Sequence, residues 1–226
     1  MKNKYDEAVR FFNLKRWDSA LQTFLLVDTE NYSTEQKTEL AYYLGLCYTK
    51  LERYNDALIY LDQVVSANAG TLRTCQCRLT LAYIYVTTRR PKMAEFELER
   101  LVKSGFQSAQ ISNMMGFAAW AQNETEQAIE YYEKALELDA NNPTALNCLG
   151  FILAETGTNV QRGIELCKKA LDKHPNNAAY MDSIGWAYYK IGEITEARAW
   201  LRRALDIAPR QREISAHMKT LVGEAT

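Results

Sequence analysis

The sequence predicts an all-α protein built as a solenoid of helix-turn-helix repeats, and three observations carry that prediction. The 226 residues include only ten glycines and four prolines, with no glycine before Gly45 and no proline before Pro91. Sheets and long loops need more of both. Small residues also recur behind apolar ones at a fixed interval: Met115-Gly116, Leu149-Gly150 and Ile184-Gly185 place their glycines 34 and 35 residues apart. Composition agrees, since 47% apolar and 24% charged residues suit a buried core, and no apolar run approaches the roughly 18 residues of a membrane-spanning helix.

The repeat is justified position by position. Its head series runs Glu7-Ala8, Leu44-Gly45, Leu81-Ala82, then the three glycine pairs; Gly45 to Gly116 is 71 residues, two periods plus three. Three residues after each small residue stands Phe11, Tyr48, Tyr85, Ala119, Leu153 or Tyr188. Twelve after comes a second small residue, Ala20, Ala57, Ala94, Ala128 or Ala197, with Gly163 displaced by one in the fifth unit. Beyond these lie Phe24, Leu61, Leu98, Tyr132, Cys167 and Leu201, then Val27, Val64, Leu101, Ala135, Ala170 and Ala204. Bulky and small positions at i, i+3 and i+4 mean helix, and the small pair lets two helices approach closely. Pro91, Asn123, Gly157 and Gly192 fall in the breaks inside units; Pro175 and Pro209 mark the ends of second helices, because proline cannot continue a helix. Six units follow within residues 1–211, near 1–34, 38–71, 75–108, 109–142, 143–177 and 178–211. Residues 212–226 put Ile214, Met218, Leu221 and Val222 on one side of a further helix, the cap a terminal repeat needs over its stacking face.

Ala128-Ile129-Glu130-Tyr131-Tyr132-Glu133-Lys134-Ala135-Leu136-Glu137-Leu138-Asp139 resembles the second helix of the tetratricopeptide repeat, and Ser183-Ile184-Gly185-Trp186-Ala187-Tyr188-Tyr189-Lys190-Ile191-Gly192 its first helix and turn. The final unit looks like those of bacterial members. Units one and three depart most, carrying alanine for the usual glycine. The resemblance implies a right-handed superhelix whose first helices line the concave surface, and a non-catalytic adaptor or scaffold that binds proteins.

Other classes of function are disfavoured. Basic minus acidic residues give +2 for 1–113 and −3 for 114–226, so neither half has the basic excess that nucleic acid demands. The five cysteines, Cys47, Cys75, Cys77, Cys148 and Cys167, lack paired zinc spacing and read as small buried hydrophobes. Cys75 and Cys77, two apart on a helix, cannot both point inward. His174 in a repeat-ending turn and His217 on the last helix have no catalytic or metal-binding companions, and no metal or cofactor is expected. The N-terminus has a basic start with no apolar stretch behind it, which predicts a cytoplasmic protein, or a periplasmic or envelope-associated one if a leader was removed.

The functional face is expected at positions two, five, nine and twelve of each first helix, about 130° from the core stripe. At the ninth, Tyr83, Phe117, Phe151 and Trp186 form a ladder of rings following Leu46; at the fifth, Asn113, Asn147 and Asp182 form a ladder of amides and a carboxylate following Tyr42 and Leu79. Trp120 and Tyr189 add rings at the twelfth. These twelve residues are the candidate groove for an extended or helical peptide segment with spaced apolar anchors: asparagine both donates and accepts, while rings hold apolar side chains. Helices ~8–10 Å apart would space successive rings by about three residues of extended chain. The chaperone-tail clamp of some tetratricopeptide members is absent, because no unit pairs Lys with Asn at its fifth and ninth positions. The alternative is self-assembly, with the groove or end face covered by a second copy.

Overall fold

The computed structural model describes residues 4–67 and 71–223. Among them are thirteen helices: α1 (Lys4–Asn13), α2 (Trp17–Leu25), α3 (Thr34–Lys50), α4 (Tyr54–Ser66), α5 (Thr71–Thr87), α6 (Pro91–Lys103), α7 (Ala109–Ala121), α8 (Thr125–Leu138), α9 (Pro143–Glu155), α10 (Val160–Lys173), α11 (Ala178–Lys190), α12 (Ile194–Ile207) and α13 (Arg212–Gly223). The first twelve pair as six helical hairpins. They fall into two compact units, Met1–Gln107 with α1 to α6 and Ser108–Thr226 with α7 to α13. Within each unit the second helix of one hairpin packs on the first helix of the next.

Each hairpin turn is closed by one residue in the left-handed region: Lys15, Glu52, Arg89, Asn123, Gly157 and Gly192, with φ between 57° and 79°. The backbone bonds explain why. In the second hairpin Arg53 N–H donates to Tyr48 C=O at 2.9 Å and Glu52 N–H to Thr49 C=O at 3.1 Å, the paired 6→1 and 5→2 bonds that satisfy the last carbonyls of a helix. The same two bonds recur at Arg16 and Lys15, Arg90 and Arg89, Glu124 and Asn123, and Glu193 and Gly192. The fifth hairpin differs. There Asn159, one residue later than expected, reaches back to Leu153 C=O at 3.4 Å. This extra residue is the physical origin of the one-residue displacement of Gly163. It also brings a side-chain cap, since Asn159 accepts from Arg162 N–H at 3.0 Å, whereas Arg16, Arg53, Arg90, Glu124 and Glu193 make no cap bond in the same place.

The small residues mark where two helices touch. A Cβ on Gly45 would lie 2.8 Å from Leu61, on Gly116 2.8 Å from Tyr132, and on Gly185 2.8 Å from Leu201. On Gly150 it would meet Gly163 C=O at 2.7 Å and Cys167 Sγ at 2.6 Å. Ala20, Ala57, Ala94, Ala128 and Ala197 are fully buried opposite them. Pro91 and Pro143 open α6 and α9 at the first helical turn, where the missing N–H would have had no partner. Pro91 was placed in a break; it stands one step further on, inside the helix.

On α13 the inward side is Ile214 and Leu221, both fully buried, with Met218 packed beside them; Val222, expected among them, is half exposed. The two-residue cysteine spacing has the consequence foreseen for it. Cys77 is buried and Cys75 partly exposed.

Candidate functional site

The first-helix residues divide between the two units, and the units treat them differently. In the first, Leu46 is only 9% exposed and lines no open face: α3 packs so that its ninth position faces the interior. Tyr42 is half-buried and donates from its phenol to Gln76 Oε1 at 2.6 Å. Beside it Arg73 bonds Glu39 at 2.6 Å and lies 5.8 Å from the Tyr42 ring centre. Both ties join residues 34 apart, on α3 and α5, so consecutive first helices are clasped across their outer edges. Burial raises the Tyr42 phenol pKa, with the neighbouring Cys77 and Tyr43 adding to the rise, so it stays a hydrogen-bond donor. Leu79 is half-buried and Tyr83 is 49% exposed.

The second unit brings eight of the predicted residues onto α7, α9 and α11. Phe117 is 44% exposed. Trp120 and Phe151 meet edge to face at 6.3 Å, and Trp186 stacks with Tyr189 at 4.9 Å. Asn113 is oriented by its surroundings. Asn142 Oδ1 already accepts from Ala145 N–H at 3.0 Å, so the bond of 2.9 Å between the two asparagines must be donated by Asn113 Nδ2. That leaves Asn113 Oδ1 buried without a hydrogen-bond partner, and Asn147 Oδ1 is in the same condition one hairpin on.

Asp182, third in this series, is 8% exposed and engaged by the chain itself. His217 of α13 approaches its two carboxylate oxygens at 2.9 and 3.0 Å and stacks on Trp186 at 4.1 Å. The Trp186 indole N–H donates to Glu155, which also bonds Lys190 at 3.2 Å. His217, Glu155 and Lys190 were missed by the sequence reading, as were Gln76, Arg73 and Glu39 in the first unit. One signal was available: His217 lies 35 residues after Asp182, close to one repeat period.

Burial pushes the Cys47 and Cys77 thiols up to about 12, which suppresses the nucleophilic thiolate. Among the described residues no cluster of three His, Cys, Asp or Glu side chains could hold a metal, and no helix is long and apolar enough to cross a membrane.

Comparison with known proteins places the repeat. Family profiles described as TPR repeat and Tetratricopeptide repeat match residues 118–157, 142–210 and 39–70, together more than half of the chain. The chain belongs to the tetratricopeptide repeat family. A TPR repeat-containing protein of Pseudomonas aeruginosa is 34% identical over 80 residues, 35% of this chain, which spans only 13% of that relative's length. Among solved structures, MamA superposes with a TM-score of 0.62 at 22% identity, covering 77% of this chain and 93% of MamA. YrrB, described as a TPR protein with an unusual peptide-binding site, gives 0.61 at 18%, covering 83% and 100%. The Cut9–Hcn1 assembly of the APC/C gives 0.77 at 15%, covering 96% of this chain and 42% of the matched one. At these identities the likeness is one of fold. Tetratricopeptide repeat proteins mediate protein–protein interactions, and their scaffold is generally non-catalytic.

Proposed function

We propose that this tetratricopeptide repeat protein is a non-catalytic adaptor that holds an apolar-anchored segment of a partner protein along α7, α9 and α11. The observation that carries the reading is the pair of orphaned amide oxygens, Asn113 Oδ1 and Asn147 Oδ1, each one helical turn before a ring, Phe117 or Phe151. A buried acceptor without a donor is unfavourable by about 1–3 kcal/mol; rotation of the amide toward the open face brings that oxygen to a ligand backbone N–H and recovers the energy, while the neighbouring ring shields an apolar side chain. Two such stations a hairpin apart suit an extended segment carrying one anchor every three or so residues. Peptides selected on the purified protein from a random library should show that spacing. Their affinity should fall at least tenfold in the Phe117→Ala/Phe151→Ala variant with helicity unchanged; equal affinity removes the reading.

The exposure of Leu14, Leu25 and Leu26 on the first hairpin favours a second reading, self-association through that end. Light scattering at two concentrations tests it: a constant monomer mass excludes it.

A further inference from the structure

The Asp182 site stands apart from the amide stations before it. Its side chain is 11% exposed, and the partner that meets both carboxylate oxygens is His217, supplied by the terminal helix. The contact has two components: a planar nitrogen-bearing ring faces both carboxylate oxygens, and the same ring lies nearly parallel to Trp186, 21° between planes. A guanidinium satisfies both demands better than an imidazole does. It is planar, always charged, forks onto both oxygens of a carboxylate and stacks on an indole face. The platform is already fixed, because the Trp186 indole N–H is held by Glu155 and the adjacent Lys190 charge is neutralised by the same carboxylate.

We propose that Asp182 and the face of Trp186 form a subsite for an arginine side chain of the partner segment, and that α13 keeps it filled with His217 as a resident self-ligand. The proposal rests on the peptide-groove reading and names the polar anchor that accompanies the apolar ones. Continuity supports it: the His217 ring also lies 6.5 Å from Phe151, so an arginine seated there adjoins the last apolar station. Charge supports it too. Moving His217 away strands a buried carboxylate, which is strongly unfavourable unless a cation takes its place. Lysine offers the charge without the plane or the fork, and an aliphatic side chain offers neither. Closure by α13 therefore selects for a partner that can replace both halves of the contact. Ile214 and Leu221 anchor α13 independently of His217, so the ring can withdraw while the helix stays in place.

The test uses the full chain and blocked tripeptides, Ala-Arg-Ala, Ala-Lys-Ala and Ala-Leu-Ala, followed through the Trp186 indole N–H resonance assigned with a Trp186→Phe variant. His217→Ala should bind the arginine peptide at least tenfold more tightly than the wild type, and prefer it at least tenfold over the other two. Adding Asp182→Asn should abolish that preference. His217→Gln, which keeps a donor near Asp182 but loses the ring, should fall between wild type and His217→Ala; it serves as the reading should the alanine variant fail to fold. Arginine binding no tighter in either His217 variant, equal binding of lysine or leucine, or indifference to Asp182→Asn would overturn the proposal. The groove reading is judged separately, by selected peptides on Phe117 and Phe151, so either can fail alone.

Discussion

The first and second units solve the same hairpin problem with different side chains. In the second, turns close on Asn123, Gly157 and Gly192, residues that accept a left-handed backbone, and the spacing between them is 34 and 35. In the first, the same backbone is imposed on Lys15, Glu52 and Arg89, at intervals of 37. The inner faces diverge as well. The second unit keeps rings and unsatisfied amides along its first helices, while the first ties its outer edges together through Tyr42–Gln76 and Arg73–Glu39. Its interior holds an ion pair, Arg78–Glu97, between α5 and α6, with both side chains largely buried. Backbone geometry in this repeat is thus set by the close approach of two helices, and the side chains that achieve it are interchangeable within limits. Inter-helix polar ties occur in both units; what sets the second apart is the row of rings and unsatisfied amides along α7, α9 and α11.

The largest effect should come from breaking the interior pair. Glu97→Ala leaves Arg78 without its carboxylate and should cost about 3 kcal/mol, seen as a lower urea midpoint; a change below about 1 kcal/mol would show that the pair is dispensable. Next comes glycine packing, where the units should respond unequally. Gly150→Ala drives a methyl against the backbone oxygen of Gly163 and should cost about 1–3 kcal/mol. Gly45→Ala meets chiefly the Leu61 side chain, which can turn aside, and should cost less; the reverse order refutes the close-approach account. Smaller again are the turns. Glu52→Gly and Arg89→Gly should each be neutral or raise stability by up to about 1 kcal/mol through relief of left-handed strain, while Gly157→Ala and Gly192→Ala should lower it by about 1 kcal/mol. Uniform signs across the four would break the comparison. The least effect is chemical. Cys75 should react with a thiol reagent in the native state before Cys47, Cys77 and Cys167, which are buried; simultaneous labelling at Cys77 would mean that α5 opens.

The hairpins were legible because each helix contact needs a small residue opposite a bulky one, and that requirement recurs at a fixed interval. Even the irregular fifth turn left its mark, in the displacement of Gly163. The candidate site was legible only in part. Phe117, Phe151, Asn113 and Asn147 could be placed from their register, since helical angle determines which side of α7 and α9 they occupy. The burial of Leu46 could not, because it depends on how α3 turns against its neighbours. Nor could the clasp of Tyr42 with Gln76, whose partner lies off the candidate positions. Asp182 was grouped with asparagines by position, yet a carboxylate, unlike an amide, only accepts and so calls for a donor; one of only two histidines stood a period downstream. Val222 was assigned to the inner side of α13 by helical angle alone, but that side narrows to Ile214, Met218 and Leu221 at the chain end.

The added residue in the fifth turn bears on how this protein can be handled. Gly150 still comes into close register with Gly163 and Cys167 although the connection between their helices is longer than in the other hairpins. Loop length and helix spacing are therefore decoupled at residues 156–159, whose side chains are exposed. That segment is the natural port for a short epitope or a reporter dye, a place where foreign sequence can be carried without disturbing the rings and amides along α7, α9 and α11.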